Sequence, residues 1–282
     1  MNVKILSPVK LISFKNQNIM TVLGSLILAL LIAMTAIFPF FIPNDPYLAD
    51  MSIRLASPSL EYPLGTDHMG RCILSRLIVG AKATLGITAM VVVTVALIGI
   101  PIGLLIGYIG GRLDTIFMRI ADGLLALPEF ILAIAIAGFL GPSLTNLMIS
   151  IVFVKWIAYT RVVRSIVVSE RTNEYVMAAK VGGSSTFKII RRHMVPQIVS
   201  PILILATLDI GKVILTISSL SYLGLGAQPP APEWGAMLND GRPYFQTAPE
   251  LMIYPGLAIF LVVLTFNLIG EGLRDKLDVK RR

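Results

Sequence analysis

Along this chain, apolar runs of membrane-crossing length alternate with shorter polar stretches. The runs fall at Ile19–Ile42, Thr84–Gly107, Ile116–Leu140, Leu144–Tyr159, Ile198–Tyr222 and Leu251–Gly270. Each approaches the roughly 20 residues that cross a bilayer as a helix. They are continuous rather than alternating, and hydrocarbon admits only helices or closed barrels, whose backbone groups are satisfied internally. The pattern predicts an all-α polytopic membrane protein with six transmembrane helices. Residues 1–18 are then a tail, 19–42 the first span, 43–83 an outer segment, 84–270 a five-helix core and 271–282 a second tail. The first run is longer than the 7–15 residues of a signal-peptide core and ends in no clean cleavage site, so it is expected to be an uncleaved anchor.

One stretch breaks the pattern. Between the fourth and fifth runs, in the loop 160–197, Glu174–Pro196 is charged and helix-forming rather than lipid-like. Asn173 is expected to cap a short helix, with Glu174 in its first turn. Tyr175, Val176, Ala178 and Ala179 give that helix small and apolar residues that fit a groove. Gly182 and Gly183 then break it, because glycine permits a sharp turn and close approach. A second helix is expected from about Ser185 to Met194, with Arg191, Arg192 and His193 on it, ending before Pro196. Such a loop reads as a docking surface for a cytoplasmic partner; a helix lying on the lipid surface is the alternative.

Composition strengthens the membrane reading. Mean hydropathy is +0.81, and charged residues make up 14% against about 25% in ordinary soluble domains. With the N-terminus inside, the cytoplasmic face collects 17 Lys and Arg and the outer face only 5, Arg54, Arg71, Arg76, Lys82 and Arg242. That bias predicts both termini in the cytoplasm. The net charge of +8 is then a topology signal and an attraction to anionic lipid, with no nucleic acid implied. Cys72 is the single cysteine, which excludes a disulfide frame. The topology puts His68 and His193 on opposite faces, and no metal-ligand spacing, nucleophile elbow or phosphate-binding glycine loop is present. The chain is not expected to be an enzyme.

Within the runs, Gly99, Gly103 and Gly107 repeat every fourth residue and leave a flat helix face. That face serves either close packing or a moving interface, and Pro101 beside it suggests a kink. Asp122 and Glu129 flank Leu127-Pro128 in the third run. A charge near the bilayer centre costs about 2.5–3.5 kcal/mol, so it faces the bundle or water. Both are candidates to line a translocation path, or to form structural hydrogen bonds. Asp209 and Lys212 share a helix face at i, i+3 and are expected either to neutralise each other or to line the path. Lys155 is expected to snorkel to the headgroups.

These residues carry a resemblance. The loop resembles the Glu-Ala-Ala signature of ABC importer permeases, with Ala178, Ala179, Gly183 and Pro196 in matching places. Over nearly its whole length the chain is similar to the dipeptide/oligopeptide/nickel permease family, as the second permease of its pair. The shared motifs are Leu64-Gly-Thr-Asp67 with Gly70-Arg71 and Ser75-Arg76, then Gly107-Tyr-Ile-Gly-Gly111. Leu220-Ser-Tyr-Leu-Gly-Leu-Gly226, Pro230-x-Pro232-x-Trp234-Gly235 and Phe266-Asn267-Leu268 follow in order.

The resemblance implies a type I ABC importer permease fold, in the bacterial cytoplasmic membrane, with the last five helices as its core. It implies a second homologous permease subunit, two cytoplasmic ABC ATPase subunits that carry ATP and Mg, and an extracytoplasmic solute-binding protein. This chain itself would bind no cofactor and no metal. ATPase coupling would fall to Glu174, Tyr175, Ala178, Ala179, Gly182, Gly183, Arg192, His193 and Pro196. The path would draw on Asp122, Glu129, Asp209 and Lys212. Asp67, Arg71, Arg76 and Trp234 would face the binding protein. Met177 departs from the signature, standing where its glutamate is usual, as do Val195, Gln197, Cys72 and Val279 from the residues usual at their places. The implied cargo is a di- or oligopeptide, or alternatively nickel or an opine-metal chelate. The rival class is a self-contained ion-coupled secondary transporter, which would often show inverted repeats.

Overall fold

The protein is described here by a computed structural model covering residues 22–30, 33 and 44–278. Most of the first predicted run lies outside the described residues, though 22–30 are helical. Among the described residues the architecture is all-α, the one β feature being an isolated bridge between Thr66 and Cys72.

The longest element, α1 (Ile73–Ile109), has 37 residues and so runs about 55 Å. It contains the second predicted span but starts eleven residues earlier, which turns part of the outer segment into helix. α2 (Gly111–Leu125) and α3 (Glu129–Leu140) occupy the third predicted span. They meet at 84° across a short break. The reason is local: Pro128 has no N–H to donate, and it restricts Leu127 before it. The single third helix expected from the apolar pattern is therefore two.

α4 (Leu144–Glu170) begins where Ser143 accepts the Asn146 N–H, and it continues well past the predicted span into the loop. α5 (Glu174–Val181), α6 (Thr186–Ile189), a π turn at Ile190–Met194 and α7 (Val195–Tyr222) follow. α8 (Trp234–Gly241) and α9 (Glu250–Asp278) complete the order. By length and apolar composition, α1, the run Thr186–Tyr222 and α9 can each cross a membrane, and the α2–α3 pair makes a fourth if taken together. α4 crosses the core with Lys155 buried in its middle.

The α1–α4 seam is the most extensive contact, with α7 packed on both and α9 on α7. Gly99, Gly103 and Gly107 make the seam. A Cβ would lie 2.7 Å from Tyr159 Cβ at Gly99, 2.7 Å from the Thr160 carbonyl oxygen at Gly103 and 2.9 Å from Val167 Cβ at Gly107. These distances are below any ordinary contact, so the stripe is a close-packing device. At the outer end, Trp234 and Met237 of α8 pack with Ala81, Ile214, Ile259 and Val262, which ties α1, α7 and α9 together.

Candidate functional site

Most residues of the Glu174–Pro196 loop are exposed. α5 is pinned by Val176, which is buried, while Tyr175, Met177, Ala178 and Lys180 face outward. Its end is a Schellman motif: the Ser184 N–H donates to the Ala179 carbonyl and the Gly183 N–H to the Lys180 carbonyl, both at 3.1 Å. Gly183 carries this with φ +78°, and a Cβ there would meet nothing within 4 Å. Backbone conformation, rather than crowding, is what requires glycine. Past the turn, Phe187, Lys188, Arg191 and Arg192 line an open hollow of about 410 Å³. Val181 is 90% and Phe187 73% exposed, a pair of apolar side chains beside a basic rim.

Two local expectations for this loop change, at Asn173 and at Pro196. Asn173 holds the N-cap position, yet its amide donates to Glu170 Oε2 at 2.7 Å instead of capping α5. Tyr175 donates its hydroxyl to the same Glu170 carboxylate, which raises the phenol pKa above its ordinary value, and its ring lies 5.6 Å from that of His193. Pro196 does not end a helix. The Val195 N–H reaches back to the Ile190 carbonyl across the π turn, and Pro196 sits in the first turn of α7, where its missing N–H is tolerated.

Within the helix bundle, α3, α4 and α7 meet in one charge cluster. Lys155 Nζ of α4 lies 2.9 Å from Glu129 Oε1 of α3 and 2.9 Å from Asp209 Oδ1 of α7. Tyr159 donates to Asp209 Oδ2 at 3.3 Å. Lys155 is 8% and Asp209 7% exposed. Lys155 therefore does not snorkel, and Asp209 is neutralised by Lys155 rather than by Lys212, which is exposed on α7. The correct partner was hidden because it lies 54 residues away in sequence. Asp122 stands apart from this group, paired with Arg161. Lower on α4, Arg164 forks onto Asp114 of α2, and Arg171 donates to the Gly107 and Tyr108 carbonyls at the end of α1.

The segment before α1 holds a second cluster together with α8. Arg71 Nε is 2.7 Å and Arg76 Nε 3.4 Å from Asp67 Oδ2, and both guanidinium groups reach Asp240 of α8 at 3.5 and 3.6 Å. Arg76 also donates to the Pro46 and Pro230 carbonyls. The Trp234 indole donates to the Leu77 carbonyl at 2.9 Å. Glu233, fully buried, caps α8 by accepting the Gly235 and Ala236 N–H groups, and it also accepts from Thr84. Asp67, Arg71, Arg76 and Trp234 were expected to face a binding protein. All four are buried within the chain, where they join the outer segment to α1 and α8. Charged side chains satisfied this fully are not free to contact a docked protein.

From Gly99 onward, residues 99–282, the chain matches the family described as binding-protein-dependent transport system inner membrane component. The chain belongs to that family. It is 41% identical to the nickel transport system permease protein NikC of Escherichia coli, over 91% of this chain and 92% of the relative. It is 42% identical to the dipeptide transport system permease protein DppC of Alkalihalophilus pseudofirmus, over 94% and 88%. The probable D,D-dipeptide transport system permease protein DdpC of Escherichia coli is 39% identical, over 96% and 91%. The all-α architecture is thus that of a membrane permease subunit, a transport component rather than an enzyme.

For a member of this family, the structure brings Glu129 and Asp209 together, leaves Asp122 with Arg161, and keeps Lys212 outside the cluster. Tyr159, Glu233 and Asp240 are the cluster residues that sequence reasoning missed, and Lys155 was given a different role. Glu233 alone had a local signal, an acidic side chain one residue before a short helix.

Proposed function

We propose that this chain is the transmembrane permease subunit of an ATP-driven ABC importer. It would form half of the translocation path beside a second, homologous permease, in the cytoplasmic membrane of a bacterium and with both termini inside. Two cytoplasmic ATPase subunits would hold ATP and Mg, and an extracytoplasmic binding protein would deliver cargo to the outer face. The names of its relatives support a small solute, either a di- or oligopeptide or nickel as ion or chelate.

One observation carries the coupling role. α5 is anchored by a single buried residue, ends in a Gly183 turn, and presents exposed Val181 and Phe187 beside a basic rim. Glu174, Tyr175, Ala178, Ala179, Gly182, Arg192, His193 and Pro196 complete that surface. ATP binding would close the ATPase dimer and draw the two coupling helices together. The bundle then opens outward to the loaded binding protein, and hydrolysis resets it. Such a drive requires the loop to differ in contact free energy between the two states.

The test is uptake in vesicles that carry the whole complex and binding protein, supplied with labelled dipeptide or with labelled nickel with and without chelator. Uptake of one cargo that needs both ATP and this chain supports the reading and names the cargo. Uptake driven equally by a proton gradient alone would overturn it. Gly183→Val forces a β-branched residue into a left-handed conformation that costs about 1–2 kcal/mol. Uptake should be lost while the protein still inserts; unchanged uptake removes the turn from the coupling mechanism.

A further inference from the structure

We infer that Glu129 is a cation-accepting station on the translocation path, which exchanges its bond to Lys155 for a bond to a positively charged group on the cargo. The inference rests on the importer reading above.

The cluster carries two carboxylates and one ammonium. Its inner half is complete in itself, because Asp209 holds both Lys155 and the Tyr159 hydroxyl. Glu129 is the surplus member: its side chain is 50% exposed, against 8% and 9% for those of Lys155 and Asp209. Lys155 would keep a buried partner if Glu129 let go. Losing one partner of a buried pair is costly when it strands the other, and here nothing is stranded. Lys212 forms an ion pair with neither carboxylate, so it does not fill the Glu129 position.

Location points the same way. Glu129 opens α3, immediately after the 84° break, and α3 packs chiefly on α4. The next residue, Phe130, lines an open apolar groove of about 500 Å³ between α3, α7, α8 and α9. That volume lies within the roughly 300–1,000 Å³ typical of small-molecule sites. Ser219 and Tyr222 are among its lining residues. A carboxylate next to an apolar groove suits a small solute bearing one positive centre on a modest body. Two sources share that chemistry: the ammonium end of a peptide-like molecule, and a metal cation.

The test uses the complete assembly, with partner permease and ATPases, in nanodiscs and without binding protein. Saturation-transfer NMR reads binding of alanyl-alanine and of its N-acetylated form, and calorimetry reads nickel ion alone. The free-amine dipeptide, nickel ion or both should bind, and the N-acetylated dipeptide should not. Glu129→Gln should weaken the bound cation about fivefold or more, roughly 1 kcal/mol, with Glu129→Asp retaining it. The arm that binds identifies the source of the positive charge. Wild-type binding by Glu129→Gln, equal binding of the N-acetylated dipeptide, or no binding to the wild type would each overturn the proposal. Stoichiometric co-purification of the partner permease and ATPase subunits shows that each variant is assembled. ATP-dependent uptake with binding protein is measured in parallel: uptake that persists while cation binding fails sinks the station alone, whereas uptake that never needed ATP sinks the importer reading.

Discussion

The two charge clusters of this chain have nearly the same ingredients and opposite character. Between the segment before α1 and α8, Asp67, Arg71, Arg76 and Asp240 balance two against two, with both arginines 2% exposed. Within the helix bundle, Glu129, Lys155 and Asp209 balance two against one, and one carboxylate is half exposed. The first is closed, so its charges serve to hold the outer segment on α1 and α8. The second is open on one side, so part of it is available for exchange. Burial and stoichiometry, more than residue type, separate a fastener from a binding group.

The sharpest way to break this contrast is to remove one charge from each. Lys155→Met strands the buried Asp209 with only the Tyr159 hydroxyl and should destabilise the protein by about 3–5 kcal/mol, read as thermal unfolding in detergent. Arg76→Met leaves Asp67 and Asp240 with Arg71 still in reach, so a smaller loss of roughly 1.5–3 kcal/mol is expected in the same assay. Glu129→Gln should cost under about 1 kcal/mol, since a half-exposed ion pair contributes little to stability. Equal losses from Arg76→Met and Glu129→Gln would erase the distinction between the clusters.

The smallest effect is a pH dependence at the edge of the arginine cluster. His68 stacks on Tyr244 at 5.3 Å between ring centres and borders a cavity of about 20 Å³ shared with Asp67, Arg76 and Asp240. Burial pushes its imidazole below the ordinary value of 6.5, outweighing the opposite pull of Asp67 and Asp240. The folded protein therefore favours the neutral ring. Its contribution to stability is present above that ordinary value and is lost as pH falls below it. The melting temperature should drop slightly between about pH 7.5 and about pH 5.5, and His68→Phe, which keeps the stack, should flatten that drop.

Much of this was legible in the sequence because it is local or periodic. The apolar runs announced α1, α7 and α9, the four-residue glycine repeat announced the α1–α4 seam, and Gly182-Gly183 announced the turn after α5. Leu127-Pro128 signalled a bend, and the 84° break there splits one predicted span into two helices. What sequence could not supply was partnership over distance. Asp209 looked paired with Lys212 one turn away, and three-helix packing gave it Lys155 instead. The family resemblance implied that Arg71, Arg76 and Asp67 face a binding protein. They are buried because Asp240, far along the chain, completes their balance.

The helical run from Thr186 to Tyr222 has one consequence beyond local geometry. Because the π turn carries it through Pro196 without a break, the basic rim of the loop and the far end of α7 belong to one helical run of 37 residues. A tilt of about 5° at one end of a rod near 55 Å long displaces the other by roughly 5 Å. Gly235 of α8 presses against Ser218 near the far end, so the outer cap would ride with that swing. Torque applied on the cytoplasmic side would then arrive at the opposite face as plain displacement, with no chain of rearranging side chains in between.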